Sequence, residues 1–219
     1  MVKRITGTFI DEITWDIPSQ NWGRKEWAKE FDTMKEAGID TVILIRMGLR
    51  DMAIYPSEVL GLKHEPDMAG FFLDEAQRCG MKLYFGSYVS ENCNDWWNNW
   101  EPEWKLNQKI IPEIHQRYGS HPAFYGWYIA SETCVATIGS LETYKRYAEL
   151  MKETADKPVL TSPYYPSYAY KETSPEDRHR RFIDDWHQIF SYAKGIDICA
   201  FQDGSCTWEM TKPQTFELA

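Results

Sequence analysis

The chain has 219 residues, which at about 100 to 200 residues per domain predicts a single domain over residues 1–219. Its formal charge of −9 disfavours nucleic acid and anionic membranes as partners, because both carry negative charge. Aromatic residues make up 15% of the chain, a share that indicates a surface able to stack against ligands in addition to a core.

Six runs of β-branched, aromatic and other apolar residues predict strands buried on both faces of a parallel sheet. They cover residues 5–11, 41–47, 82–89, 124–130, 158–162 and 197–202. Helical patterns lie between these runs, and in the first of them Trp27, Phe31 and Met34 share one face. The residues expected to start or end the helices are Gly38, Pro66 with Asp67, Gly80, Pro102, Ser140, Ser174 with Pro175, and Gly195.

Two architectures fit five βα units followed by a sixth strand: an open doubly wound sheet and a (β/α)8 barrel. An open sheet usually carries a glycine-rich phosphate loop after its first strand, whereas this sequence reads FIDEITWD there. We therefore expect an α/β fold of the (β/α) TIM-barrel type, incomplete with about six βα units and truncated at its C-terminus. The unpaired edges of such a barrel predict self-association.

In a barrel of this type the active site lies at the C-terminal ends of the strands. The residues at the predicted strand ends are acids, one Arg, hydroxyl groups and an amide, a composition typical of sites that handle sugars. The predicted catalytic residues are Glu132, Asp203 and Glu12. The predicted substrate-binding residues are Asp11, Arg46, Tyr88, Trp96, Trp97, Gln202 and Trp15.

Several of these residues also fit a structural role. Asp11 and Glu12 are adjacent, so strand alternation lets only one of them face the barrel axis. Burying Arg46 without a partner would cost free energy, so two interpretations stay open: a structural ion pair with a neighbouring acid, or a contact with the substrate. Asp203 precedes a glycine and suits a turn as well as a site. The Trp-rich segment 91–104 is either a stacking platform or a hydrophobic lid.

Metal and cofactor chemistry receives little support from the sequence. The chain has no HxH or HExxH motif, and its five Cys include no CxxC pair, so we expect no metal and no other cofactor. A divalent ion held by Asp11, Glu132 and Asp203 stays an open alternative. No signal-like segment opens the sequence, so the default location is the cytoplasm, unless a secretion signal has been removed.

Four segments of the sequence carry a family resemblance: GTFIDEITWDIPSQNW at 7–22, GIDTVILIRMG at 38–48, FYGWYIASE at 124–132 and FQDG at 201–204. Together they resemble the uncharacterised bacterial family catalogued as domain of unknown function 4434, which is grouped with TIM-barrel glycoside hydrolases. The resemblance implies a glycosidase-like barrel in which Glu132 occupies the acid/base position after strand four. Retaining members of the superfamily carry a nucleophile after strand seven, which this sequence does not reach. The resemblance therefore leaves two alternatives: either this chain lacks the nucleophile, or Asp203 after strand six serves in its place.

These observations predict a glycoside-hydrolase-like protein that acts on a carbohydrate, with Glu132 as general acid/base and a second carboxylate as its partner. Two alternatives stay open. One is a non-catalytic carbohydrate-binding barrel with the same stacking aromatics. The other is an isomerase or lyase that uses a carboxylate-held metal ion.

Overall fold

The computed structural model describes residues 4–14, 17–61, 67–90, 99–133, 135–164 and 174–202. In this part of the chain the strands are β1 (Gly7–Ile10), β2 (Thr41–Leu44), β3 (Gly48–Leu49), β4 (Met52–Ala53), β5 (Lys82–Gly86), β6 (Tyr88–Val89), β7 (Phe124–Ile129), β8 (Val159–Thr161) and β9 (Ile198–Cys199). The helices are α1 (Arg24–Ala37), α2 (Met68–Cys79), α3 (Glu101–Tyr118), α4 (Ile138–Thr154) and α5 (Pro175–Tyr192), with a 3-10 turn at Pro18–Asn21.

Six of the strands form one parallel sheet in the order β1-β2-β5-β7-β8-β9. The sheet curls into a half-barrel, and the helices connect its successive strands in the βα manner. The predicted α/β fold of TIM-barrel type with about six strands is therefore confirmed. Strands β1 and β9 are the two edges of the sheet.

Local sequence signals account for most of the helix boundaries. Helix α1 ends at Gly38, whose left-handed φ of 82° suits glycine, and the Asp67 side chain accepts a hydrogen bond from the backbone of α2. Ser174 caps α5 as predicted. The expected cap of α4 is displaced by one turn: Thr137 is the N-cap, and Ser140 is the third helical residue, where its hydroxyl accepts from the Thr137 amide.

A second, three-stranded sheet in the order β4-β3-β6 was not predicted. The chain continues beyond β2 and beyond β5 into two short strands, β3 and β6, which pair with each other near the C-terminal edge of the main sheet. Gly48 permits this pairing, because a Cβ atom there would lie 2.7 Å from the ring of Tyr88. The carboxamide of Asn107 on α3 bonds to both the amide and the carbonyl of Tyr88 and so fixes β6 against the helix.

The two faces of the main sheet have different surroundings. The outer face packs against the helices and contributes fully buried side chains such as Val42, Phe85 and Trp127. The inner face carries a smaller cluster of four buried residues, Ile43, Tyr84, Tyr128 and Leu160. Phe9 and Ile198, on the two edge strands, stay partly exposed. The inner face is thus open to ligands at its rim.

Candidate functional site

A cavity of about 240 Å³ lies at the C-terminal edge of the half-barrel. The described residues that line it are Phe9, Ile45, Glu132, Ser162 and Gln202. Each belongs to a different strand or follows one closely, from β1 and β2 through β7 and β8 to β9. The cavity therefore occupies the place where a barrel of this type builds its active site.

Glu132 is the acid of this cavity and is held by a residue of β7, the strand that precedes it. The Tyr128 hydroxyl donates to Glu132 Oε1 across 2.9 Å, and the Tyr128 side chain is fully buried. Burial, together with the adjacent carboxylate, raises the pKa of Tyr128 well above its usual value, so its proton stays available for this bond. The Phe9 ring meets the Tyr128 ring edge-on, with centroids 5.4 Å apart.

The polar groups opposite Phe9 come from the last two strands. The Ser162 hydroxyl donates to the carbonyl of Ala200 across 2.7 Å. The Gln202 side-chain amide nitrogen donates to the carbonyl of Ser162 across 3.0 Å, which fixes the amide orientation. Both side chains thereby keep oxygen lone pairs for a ligand.

Asp11 and Arg46 meet at the ends of β1 and β2. Arg46 Nε lies 3.4 Å from Asp11 Oδ2, and Nε is buried without a hydrogen bond in the described part of the molecule. Asp11 also accepts from the backbone amides of Ile13 and Thr14, which shapes the loop after β1. The pair therefore combines a structural role with a charged group close to Tyr128.

Glu12 and Tyr88 lie elsewhere in the molecule. The Trp27 indole of α1 donates to Glu12, and desolvation raises the pKa of this buried carboxyl to about 7, with that bond opposing the rise. The Tyr88 hydroxyl donates to the carbonyl of Arg50. Neither residue is among the described ones that line the cavity. Glu12 lies beyond the last residue of β1, and the Trp27 indole of α1 is the hydrogen-bond partner of its side chain.

Four predicted site residues, Trp15, Trp96, Trp97 and Asp203, lie outside the described residues. Of the neighbouring tryptophans, Trp104 packs edge-on against Tyr147, with ring centroids 5.6 Å apart. Within the described ranges, no three His, Cys, Asp or Glu side chains come together as a metal-binding group. The helices in those ranges also include none with the length and apolar character of a membrane span.

Four residues of the cavity and its wall are absent from the predicted site residues: Phe9, Ile45, Ser162 and Tyr128. Strand alternation could have indicated Phe9, because it lies two positions before the predicted site residue Asp11. Ile45 lies one position before Arg46, so alternation gives no such signal for it. Tyr128 lacked a comparable signal, because its contact with Glu132 depends on how the chain turns after β7.

Comparison with known proteins identifies the family. The model of the family described as "Domain of unknown function (DUF4434)" matches residues 5–217. The chain belongs to the DUF4434 family. Among curated protein sequences, no relative matches it.

One solved structure resembles this DUF4434 chain over most of its length. It is a protein of Bacteroides thetaiotaomicron VPI-5482 provisionally named an alpha-L-fucosidase, with 36% sequence identity and a TM-score of 0.81. The alignment covers 92% of this chain and 64% of that protein, so the DUF4434 chain spans somewhat less than two thirds of its relative. A GH2 beta-galacturonidase from Eisenbergiella tayi, bound to galacturonate, shares the fold with 19% identity and a TM-score of 0.52, covering 90% of this chain and 34% of its own. Both comparisons show the same α/β barrel-type fold.

Proposed function

We propose that this DUF4434 chain forms the part of a glycoside-hydrolase barrel that carries the general acid/base, and that Glu132 is this residue. One observation carries the proposal: Glu132 lines the cavity at the strand ends while a buried Tyr128 hydroxyl holds its Oε1. In the described part of the molecule Oε2 has no hydrogen bond, so it is the oxygen available to exchange a proton with a glycosidic oxygen. The fucosidase assignment of the relative that is 36% identical supports the same reaction class.

The partner carboxylate that we propose is Asp203, directly after Gln202 of the cavity wall. Strand β8 separates β7 from β9, so acids that follow β7 and β9 come from non-adjacent strands. A separation of roughly 6.5 to 9.5 Å leaves room for a water molecule and inverts the anomeric centre. We therefore expect inversion if Asp203 is the partner, and retention if a carboxylate closer to Glu132 takes that role.

A second candidate function is carbohydrate binding without hydrolysis. The observation in its favour is that, among the described residues that line the cavity, Glu132 is the only carboxylate. Asp11, an alternative partner, is engaged with Arg46 and with two backbone amides.

Hydrolysis of a panel of aryl glycosides separates the two functions. We expect the parent chain to release the aryl group and Glu132→Gln to lower kcat by about 10²-fold or more, since an acid catalyst contributes about 10² to 10⁴ in rate. Glu36→Gln is the matched control, because Glu36 is exposed on α1. Equal rates for the parent and Glu132→Gln would remove Glu132 from the mechanism. Binding of glycosides with no release of the aryl group would favour the second function.

A further inference from the structure

We infer that Phe9 and Ile45 form an apolar subsite that makes this cavity select a neutral 6-deoxyhexose over the same sugar with a hydroxymethyl or carboxylate group at C6. The inference rests on the proposed carbohydrate function, and it concerns the part of the sugar that does not react. Its evidence is the distribution of apolar and polar groups around the cavity.

The apolar and polar lining residues come from opposite ends of the curled sheet. Phe9 and Ile45 belong to β1 and to the end of β2, at one edge, whereas Ser162 and Gln202 follow β8 and β9, at the other edge. Glu132, after β7, lies toward the polar end in the strand order. A sugar in the cavity therefore meets a mostly apolar lining, and the few polar groups that it can reach lie toward the β8 and β9 edge.

The volume fits one small sugar unit. At about 240 Å³ the cavity is smaller than the roughly 300 to 1,000 Å³ of sites for drug-sized ligands. Phe9 is 38% exposed, so its ring has free apolar surface, while its contact with Tyr128 restricts its movement. A methyl group placed against Phe9 and Ile45 loses contact with water without leaving a polar group unsatisfied.

The free hydrogen-bonding capacity of the polar side consists mainly of acceptors. The Ser162 hydroxyl proton is used on Ala200, and the Gln202 amide is oriented by its bond to Ser162, so both offer oxygen lone pairs. Glu132 adds a carboxylate, and one remaining N–H of Gln202 is the available donor among these three side chains. Such a set suits the hydroxyl protons of a neutral sugar. A uronate would bring a second carboxylate close to Glu132, and the cavity has few hydrogen-bond donors to stabilise the added charge.

The inference is tested by measuring affinities for sugars that differ only at C6. The ligands are the methyl glycosides of fucose, galactose and galacturonic acid, in the D series and the L series, titrated by isothermal calorimetry. In the series that binds, we expect the methyl compound to bind about 10- to 100-fold more tightly than the hydroxymethyl compound, with the carboxylate weakest. Ile45→Thr keeps the branched shape but adds a hydroxyl, and we expect it to reduce this preference to less than about threefold.

Ile5→Thr is the matched control, because Ile5 is 79% exposed and does not line the cavity. Tighter binding of the galactoside or the galacturonide than of the fucoside, or an unchanged preference in Ile45→Thr, would overturn the inference. Neither result affects the proposed function, which is decided by whether Glu132→Gln loses aryl glycoside hydrolysis. Conversely, a chain that prefers the methyl compound but hydrolyses no glycoside would refute the catalytic role of Glu132 and still support the apolar subsite. If no sugar of either series binds, the subsite is refuted.

Discussion

Replacement of Glu12 by Gln tests whether this buried carboxyl destabilises the fold at neutral pH. Glu12 is 8% exposed and lies beside the Trp27 indole, which donates to it. Desolvation raises its pKa from an ordinary 4.5 to about 7, helped by the neighbouring Asp11 and opposed by the indole bond. The folded chain thus holds a proton in a pH range where the unfolded chain has lost it.

The sign and size of the effect follow from this difference in proton binding. Below about pH 4.5 both states are protonated and Glu12 costs nothing, whereas between about pH 4.5 and 7 the free energy of unfolding falls as the pH rises. The rise in the Glu12 pKa from 4.5 to about 7 lowers the free energy of unfolding by about 3 kcal/mol once the pH exceeds about 7. Glutamine cannot ionise, and its side-chain oxygen still accepts from the Trp27 indole.

We therefore expect Glu12→Gln to match the parent near pH 4 and to be more stable by up to about 3 kcal/mol near pH 8. Urea denaturation followed by circular dichroism at both pH values measures the change, and Glu36→Gln serves as the exposed control. A stability difference between the parent and Glu12→Gln that does not vary with pH would refute the reasoning. A variant that is less stable at every pH would show that the indole bond requires the carboxylate.

Other substitutions test the remaining features. Tyr128→Phe removes the hydrogen bond to Glu132, so we expect kcat for aryl glycosides to fall about tenfold with little change in KM; an unchanged kcat would exclude a positioning role. Asn107→Ala removes two hydrogen bonds to the backbone of β6 and should lower the free energy of unfolding by about 1 to 3 kcal/mol in urea titrations. We expect the parent chain to self-associate in light scattering, and Ile198→Lys should reduce this association because it places a charge on an edge strand. A monomeric parent would contradict the expectation. Trp97→Ala should weaken glycan binding without unfolding the chain, and equal affinity would indicate packing instead.

The order of the strands and helices, and several of the helix boundaries, could be predicted from local patterns in the sequence. The helix caps are examples, because each acts on the backbone within a few residues and can be recognised without knowledge of the fold. They include Gly38, Asp67 and Ser174. The apolar runs gave the six parallel strands for the same reason. They also placed Glu132 after the fourth of these strands, which is why its position at the mouth of the half-barrel could be anticipated.

The contacts between side chains of distant segments could not be predicted in the same way. Asp11 and Arg46 are 35 positions apart and pair because β1 and β2 are neighbours in the sheet. The small sheet of β3, β4 and β6 depends on the close approach of Tyr88 to Gly48. The separation of Glu12 from the cavity depends on the packing of α1, because a buried carboxyl takes whichever donor its surroundings offer. Such contacts join segments distant in the chain, and periodicity within one segment carries no information about them.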